Sequence, residues 1–130
     1  MHNLAIMQAL IIDDEAKARD MLQFLLQHYV PEITAIQSAE RADRATQLLA
    51  TFQAELVFLD IKMPLKDGFA WLNEQKKRDF TVIFVTAHDH FAIQAIRFSA
   101  FDYLLKPVDA QDLRDCIDRY LSSQKKQHLH

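Results

Sequence analysis

Four short, mainly apolar runs and one weaker run of alternating apolar and polar residues, at 33–37, are interspersed along this chain with five segments whose apolar residues recur at spacings of three and four. Short apolar runs bounded by polar residues indicate buried strands, and the longer spacing indicates amphipathic helices. Strands and helices that alternate one by one along the chain favour a parallel sheet with helices on both faces. We therefore predict an α/β fold of the flavodoxin-like, doubly wound type, with five parallel strands in the order 2-1-3-4-5 and five helices. The predicted strands cover residues 8–12, 33–37, 55–60, 80–86 and 101–105.

Capping residues and apolar spacing set the predicted helices. Apolar residues between 42 and 52 mark the second helix. Asp67 is the predicted N-cap of a third helix that runs to about Arg78, the fourth begins at about Asp89, and Asp109 caps the last. The first helix is predicted to turn five residues toward the core, namely Met21, Leu22, Leu25, Leu26 and Tyr29.

The length of 130 residues fits a single domain, with a core at about residues 7–122 and a polar tail or the start of a linker at 123–130. The net charge of −3 gives no electrostatic reason to expect direct contact with nucleic acid. No apolar run approaches the roughly 18 residues of a membrane span, and the N-terminus lacks the features of a signal peptide. We expect a cytoplasmic protein without membrane contact.

Two residue types that occur only once limit the possible functions further. Gly68 is the only glycine, so the chain lacks the glycine-rich loops that cradle nucleotide phosphates. Cys116 is the only cysteine and cannot form a disulfide within the chain. Its position in a helical pattern predicts a small buried residue without a chemical role.

Polar residues with chemical potential stand where the predicted strands end. Asp13 and Asp14 follow the first strand, Asp60 ends the third, Thr86 ends the fourth and Lys106 follows the fifth. In open parallel sheets ligands bind in the crevice beyond the carboxyl ends of the strands. We therefore expect these side chains to converge in one crevice.

Three converging carboxylates repel one another, and a divalent cation with oxygen ligands relieves the repulsion. Mg²⁺ suits the site formed by Asp13, Asp14 and Asp60 because it keeps several waters and needs few protein carboxylates. With the cation in place, Asp60 is a candidate nucleophile toward a phosphoryl group. Lys106 supplies further positive charge, and the Thr86 hydroxyl donates to a phosphoryl oxygen.

Each of these residues has a plainer interpretation when it is taken alone. A single aspartate after a strand is more often an N-cap than a metal ligand, and a lysine before a proline is usually a solvated loop residue. The ordered occurrence of all of them at strand ends favours the functional interpretation. Together with their flanking residues they resemble the receiver domain of bacterial two-component response regulators over about residues 7–122. The segments that carry this resemblance are 13–15 (DDE), 60–64 (DIKMP), 67–68 (DG), 85–87 (VTA) and 101–107 (FDYLLKP).

Residues 82–107 resemble in particular the LytTR class, whose receivers usually precede a DNA-binding domain. The resemblance implies that a phosphohistidine on a sensor histidine kinase phosphorylates Asp60. It also implies that Asp14 and Asp60 hold Mg²⁺ directly together with the backbone carbonyl of Lys62, while Asp13 acts through a bound water. The protein would then be a signalling phosphoacceptor and not an enzyme, since it catalyses only its own phosphorylation and dephosphorylation.

The resemblance further implies a switch made of Thr86 and Tyr103. On phosphorylation the Thr86 hydroxyl turns toward the phosphoryl group, and the Tyr103 ring occupies the vacated space. The Lys106–Pro107 bond is expected to be cis, as in many relatives. Receivers commonly pair through the face of helix four, strand five and helix five, and a phosphorylation-dependent homodimer is predicted to use Phe91, Arg97, Phe98, Asp102 and Arg119.

Two positions beside the predicted site are expected to set the lifetime of the aspartyl phosphate. The resemblance implies that the residue two after the phosphorylated aspartate, here Lys62, and the residue two after the switch threonine, here His88, flank the path of the hydrolytic water. His88 would add a pH dependence near the ordinary histidine pKa of about 6.5. The loop after Asp60 departs from the common family pattern because the pair at residues 65–66 contains no glycine.

Two alternatives remain open on the sequence alone. A receiver-like scaffold that no longer depends on phosphorylation would have no need to retain the full set of strand-end residues. A phosphatase with an aspartyl-phosphate intermediate would need a second aspartate two residues after the nucleophile, and Lys62 stands there. Both alternatives are therefore less well supported than the phosphoacceptor.

Overall fold

A computed structural model describes residues 7–128 and shows one parallel sheet with the strand order β2-β1-β3-β4-β5. Every neighbouring pair of strands is parallel. The predicted fold class and strand order are therefore confirmed. The strands are β1 (Met7–Ile12), β2 (Ile33–Ala39), β3 (Leu56–Leu59), β4 (Thr81–Thr86) and β5 (Asp102–Leu105).

Five helices follow the strands in turn. Within the described residues, none of them combines the length and apolar character that a membrane span requires. Residues 1–6, which carry the expectation of a missing signal peptide, and residues 129–130 of the polar tail lie outside the described part. The helices are α1 (Ala16–Tyr29), α2 (Ala42–Leu49), α3 (Gly68–Asn73), α4 (Ala92–Arg97) and α5 (Ala110–His128).

The sheet separates two hydrophobic cores. Leu26 of α1 and Ile117 of α5 belong to the core on one face. Trp71 of α3 and Ala95 of α4 belong to the core on the other face, together with residues of α2. The strands supply both cores because successive side chains point to opposite faces of a sheet. On β3, for example, Val57 belongs to one core and Phe58 to the other. Burial on both faces explains why the central strands β1, β3 and β4 are largely apolar, whereas the edge strands β2 and β5 are partly exposed.

Two of the five predicted core residues of α1 are wrong. Leu22, Leu25 and Leu26 are buried, but Met21 is 56% exposed and Tyr29 is 48% exposed. Only a narrow stripe of α1 faces the sheet, and these two residues lie beyond its edges. Helical spacing identified the buried side of α1 but not the width of the contact.

α3 and α4 are shorter than predicted. α3 ends at Asn73 and not near Arg78, because residues 74–79 are mostly charged or polar and offer the core little apolar surface. α4 begins at Ala92 and not at Asp89, and Ala95 is its only buried residue. α5 runs to His128, through much of the predicted polar tail.

The predicted caps and the buried cysteine are confirmed. The Asp67 carboxylate accepts from the Ala70 N–H at 2.8 Å, and the Asp109 carboxylate accepts from the Gln111 N–H at 3.0 Å. Cys116 is fully buried among the residues of the α1–α5 core. Burial raises the pKa of its thiol far above the ordinary value, which agrees with a packing role.

An ion-pair network joins α5 to the turn between α1 and β2. The two terminal nitrogens of Arg114 donate to the two carboxylate oxygens of Glu32 at 3.0 and 2.9 Å. Arg114 also donates to the Tyr29 carbonyl oxygen at 2.9 Å and pairs with Asp118 at 2.7 Å. The hydrogen bond from Arg114 lowers the pKa of Glu32, although partial burial opposes this effect.

We expect Arg114→Gln to lower the free energy of unfolding by about 1 kcal/mol at neutral pH, because solvent still screens this partly exposed pair. The depressed pKa of Glu32 means that its contribution is present above the ordinary value of 4.5 and is lost as pH falls through the folded-state pKa. Urea unfolding at neutral pH and at about pH 3.5 measures this difference. Lys66→Gln is the matched control, since it removes a more exposed pair with Glu74. A deficit for Arg114→Gln that persists unchanged in acid would contradict the assignment.

Candidate functional site

Asp60 lies at the carboxyl end of the central strand β3 and is 4% exposed. Its backbone N–H donates to the Ile12 carbonyl at 2.9 Å, which continues the pairing of β3 with β1 by one residue. Its carboxylate Oδ1 accepts from the Ile61 N–H at 2.8 Å. The adjacent backbone N–H therefore fixes the Asp60 carboxylate through Oδ1. The second carboxylate oxygen, Oδ2, remains available to other partners.

Lys106 is the partner of that second oxygen. Its ammonium lies 3.2 Å from Asp60 Oδ2, 2.7 Å from Asp13 Oδ2 and 3.7 Å from Glu15 Oε1. The backbone N–H of Lys106 donates to the Thr86 carbonyl at 2.8 Å, which ties the end of β5 to the end of β4. The Lys106–Pro107 peptide bond is cis, as the resemblance implied.

The electrostatics of this pair depend on burial. Burial raises the pKa of Asp60, and the neighbouring Asp13 carboxylate raises it further, while Lys106 opposes both effects. Burial on its own would lower the pKa of Lys106, but its bonds to Asp13 and Asp60 outweigh this and raise the pKa. Lys106 is therefore a permanent cation between two crowded carboxylates.

The acidic residues of this crevice fit a hard divalent cation. Carboxylate oxygens of Asp13, Glu15 and Asp60 all lie within 4.8 Å of one another, and Mg²⁺ prefers such oxygen ligands. Asp14 is exposed and lies outside this cluster. Glu15 was not among the ligands predicted from the sequence, although it is the third acid of the same run.

Gly68 packs directly against the backbone of Asp60 and Ile61. A Cβ atom at residue 68 would lie 2.3 Å from the Asp60 carbonyl oxygen and 3.2 Å from the Ile61 Cα. The Gly68 N–H donates to the Ile61 carbonyl at 2.8 Å. The start of α3 therefore packs directly on the backbone that carries the acid, and only glycine allows this approach. This role of Gly68 depends on a contact between segments in space, and the sequence pattern does not indicate it.

Thr86 and Tyr103, the predicted switch pair, meet at the loop after β4. Thr86 is fully buried, and its Oγ1 accepts from the His88 N–H at 3.3 Å. The Tyr103 hydroxyl donates to the His88 carbonyl oxygen, and burial raises the pKa of this phenol. Both side chains of the predicted switch therefore hold the same loop residue.

Lys62 and His88, the predicted lifetime-setting residues, both lie near the Phe91 ring. The Lys62 ammonium lies 5.4 Å from the centroid of the Phe91 ring. The His88 ring meets the Phe91 ring edge-on at 6.0 Å between centroids. Sequence spacing predicted neither contact.

The loop between Asp60 and α3 contains a residue in the left-handed region. Leu65 has a φ of 72° and is fully exposed. Leu65 belongs to the pair at residues 65–66 that departs from the expected family pattern, and its backbone has the left-handed conformation that favours glycine.

Comparison with known proteins identifies the family of this chain. The sequence profile described as "Response regulator receiver domain" matches residues 9–118. The chain therefore belongs to the response regulator receiver domain family. Receiver domains are signalling phosphoacceptors that sensor histidine kinases phosphorylate, and they bind Mg²⁺ at an acidic pocket.

Sensory transduction protein LytR of Streptococcus mutans is 39% identical over 127 residues, which cover 95% of this chain and 50% of the relative. Further relatives carry the names LytT and LytR, so the resemblance to the LytTR class is confirmed. The chain spans about half the length of the curated relatives it matches.

Two solved structures show the same fold. The REC domain of AraT, a response regulator from Geobacillus stearothermophilus, matches with a TM-score of 0.81 at 27% identity, over 95% of this chain and 98% of that one. Response regulator TrrA from Thermotoga maritima, in complex with Mg(2+)-BeF, matches with a TM-score of 0.76 at 28% identity, over 87% and 97% of the two chains.

Proposed function

We propose that Asp60 accepts a phosphoryl group from the phosphohistidine of a sensor histidine kinase. The observation that carries the proposal is a buried carboxylate with one oxygen held by the Ile61 N–H and the other facing Lys106 beside a second carboxylate. This arrangement orients a nucleophile and surrounds it with the charges that phosphoryl transfer requires. No observation favours a phosphatase, since Lys62 stands where such an enzyme needs an acid.

In the transfer, a carboxylate oxygen of Asp60 forms a bond to phosphorus while the bond between phosphorus and the imidazole nitrogen breaks. The imidazole nitrogen keeps the electron pair, and the ring takes up a proton from solvent, so that neutral histidine leaves. Lys106, which already bridges Asp60 and Asp13, neutralises charge on the phosphoryl oxygens. Thr86 lies at the end of the adjacent strand and donates its hydroxyl to one of them.

In this proposal Asp14, Asp60 and the backbone carbonyl of Lys62 would hold Mg²⁺ directly, and Asp13 would act through a bound water. When bound, Mg²⁺ supplies positive charge that offsets the repulsion between the carboxylates and the phosphoryl oxygens. Glu15 lies in the same carboxylate cluster, which supports it as an additional oxygen ligand or as a partner of metal-bound water.

The switch in this proposal is the loop after β4. When the Thr86 hydroxyl turns to the phosphoryl group, it no longer accepts the His88 N–H. Tyr103 holds the carbonyl of the same residue, so the change reaches β5 directly. Lys62 and His88 set the phosphoryl lifetime from their positions beside this loop. The output is control of transcription through a LytTR-type DNA-binding domain elsewhere in the protein.

Treatment with acetyl phosphate and Mg²⁺, followed by intact-mass measurement, tests the phosphoacceptor. We expect the wild type to gain one phosphoryl group and Asp60→Asn to gain none, because an amide is no nucleophile toward phosphorus. Asp67→Asn is the matched control, since Asp67 caps α3 beside the site, and it should gain the group. No gain by the wild type would favour the scaffold, and a gain by Asp60→Asn would place the acceptor elsewhere.

Phosphorylation-dependent dimerisation is part of the same proposal. Ile93 and Ile96 are 69% and 73% exposed and lie three residues apart on α4, so they project from one side of the helix. They add apolar surface to the predicted face, where Phe91 and Phe98 are half-buried and Asp102 pairs with Arg119.

We expect light scattering to show a doubled mass after phosphorylation of the wild type. Ile93→Ser/Ile96→Ser should stay monomeric at the same concentration, because it loses the exposed apolar surface. The variant Met21→Ser is the control, since it removes an equally exposed apolar residue from α1. An unchanged mass for the phosphorylated wild type at high concentration would count against this face.

A further inference from the structure

Lys62 and Phe91 connect the two loops that border the phosphoacceptor. Lys62 belongs to the loop that follows Asp60 at the end of β3, and Phe91 belongs to the loop that follows Thr86 at the end of β4. β3 and β4 are neighbours in the sheet. The contact between the Lys62 ammonium and the Phe91 ring, at 5.4 Å, therefore spans the gap between the two loops beside Asp60.

The Phe91 ring is a fixed partner in this contact. It packs at 6.0 Å from the buried Phe69 ring and at 4.1 Å from the His90 ring. The His88 ring approaches it edge-on from the same loop. A ring held on several sides keeps its face toward the lysine, whereas Lys62 itself is exposed and has no comparable support from packing. The ring therefore determines where the ammonium resides.

We propose that Phe91 is a positioning residue that anchors Lys62 across the mouth of the crevice and thereby lengthens the life of the phosphorylated state. The inference rests on the proposed function of Asp60. In hydrolysis, a water oxygen bonds to phosphorus as the bond from phosphorus to the Asp60 oxygen breaks. The carboxylate is regenerated, inorganic phosphate leaves, and the proton of the water passes to solvent. The anchored lysine stem narrows the approach of that water.

The size of the effect follows from the strength of the anchor. An exposed cation–π contact changes the population of the anchored state by roughly two- to fivefold. Loss of the ring face in Phe91→Leu, which keeps an apolar side chain, should therefore speed hydrolysis by about that factor. Lys62→Met keeps the stem but removes the charge, and it should have the same effect.

The test uses acetyl phosphate to load the wild type, both single variants and the double variant. After removal of the donor, intact mass follows the loss of the phosphoryl group. If Phe91 acts through Lys62, the double variant loses the group no faster than either single variant. Phe80→Leu is the matched control, because Phe80 stacks on Trp71 away from the crevice, and its rate should equal that of the wild type.

Three results would overturn the inference. The first is an unchanged rate of hydrolysis in Phe91→Leu. The second is a further acceleration of hydrolysis when Phe91→Leu is added to Lys62→Met, and the third is an acceleration by the Phe80→Leu control as large as that by Phe91→Leu. NMR relaxation of the Lys62 side chain in the unphosphorylated protein provides a second measurement, and Phe91→Leu should increase its mobility. Failure of the wild type to load would instead contradict the proposed function, while the relaxation measurement would still decide whether the anchor exists.

Discussion

Lys106→Met is expected to lower the free energy of unfolding by about 3 kcal/mol in metal-free buffer at neutral pH. Asp13 and Asp60 are 4% exposed each, and Lys106 is the cation that bridges them. Methionine preserves the length of the side chain but leaves two buried carboxylates facing each other. Urea unfolding measures the deficit, and Lys76→Met, at an exposed position between α3 and β4, is the control.

The deficit of Lys106→Met should depend on pH in a defined direction. Because folding raises the pKa of Asp60, the folded protein holds the Asp60 proton more tightly than the unfolded chain does. Ionisation of Asp60 therefore costs stability as pH rises above the ordinary value of 3.8, and removal of Lys106 increases that cost. The deficit should be small near pH 4 and largest at neutral pH.

Excess Mg²⁺ should restore part of the lost stability at neutral pH, because a bound cation again separates the carboxylates. A deficit that is equal at both pH values and unaffected by Mg²⁺ would show that Lys106 contributes through packing of its stem and not through its charge.

Gly68→Ala is expected to lower the free energy of unfolding by about 2–3 kcal/mol. The added methyl group would meet the Asp60 carbonyl oxygen at 2.3 Å, and all three of its nearest atoms belong to the backbone. No rotation of a side chain can relieve this contact, so the start of α3 or the end of β3 must move. Phosphorylation by acetyl phosphate should slow by tenfold or more, because small displacements of a reacting group are costly.

Asn73→Ala is the matched control for Gly68→Ala, since residue 73 is exposed at the other end of α3. Alanine favours the helix there and should change neither stability nor loading by much. An unfolding midpoint for Gly68→Ala equal to that of the wild type would contradict the close approach seen in the structure.

The sequence predicted the fold and the order of its strands, because burial on both faces makes the central strands β1, β3 and β4 largely apolar and the strand ends carry the polar residues. It did not predict the length of α3 or the exposure of Met21. Both depend on how far the helices extend over the sheet, which is a property of packing and not of spacing along the chain.

Part of the site could be predicted from the sequence, because the strand order determines which strand ends meet. The strand order brings Asp13, Asp60 and Lys106 together, and the structure places the lysine between the two acids. Glu15 and Phe91 were missed as parts of the site, because their roles depend on the paths of loops after β1 and β4. The spacing of apolar residues in helices and strands does not predict the path of a loop.

The sheet separates the proposed switch pair from the ion-pair network around Arg114. Thr86 follows Phe84 by two residues and points to the same face of β4, and Tyr103 packs against the core on that side. Leu26 and the network around Arg114 lie on the opposite side. The proposed switch therefore acts on the side of α2, α3 and α4, and it extends to α5 through β5, where Asp102 pairs with Arg119. Substitutions of Leu26 and its neighbours in the α1 core therefore act on stability from the side of the sheet opposite to Thr86 and Tyr103.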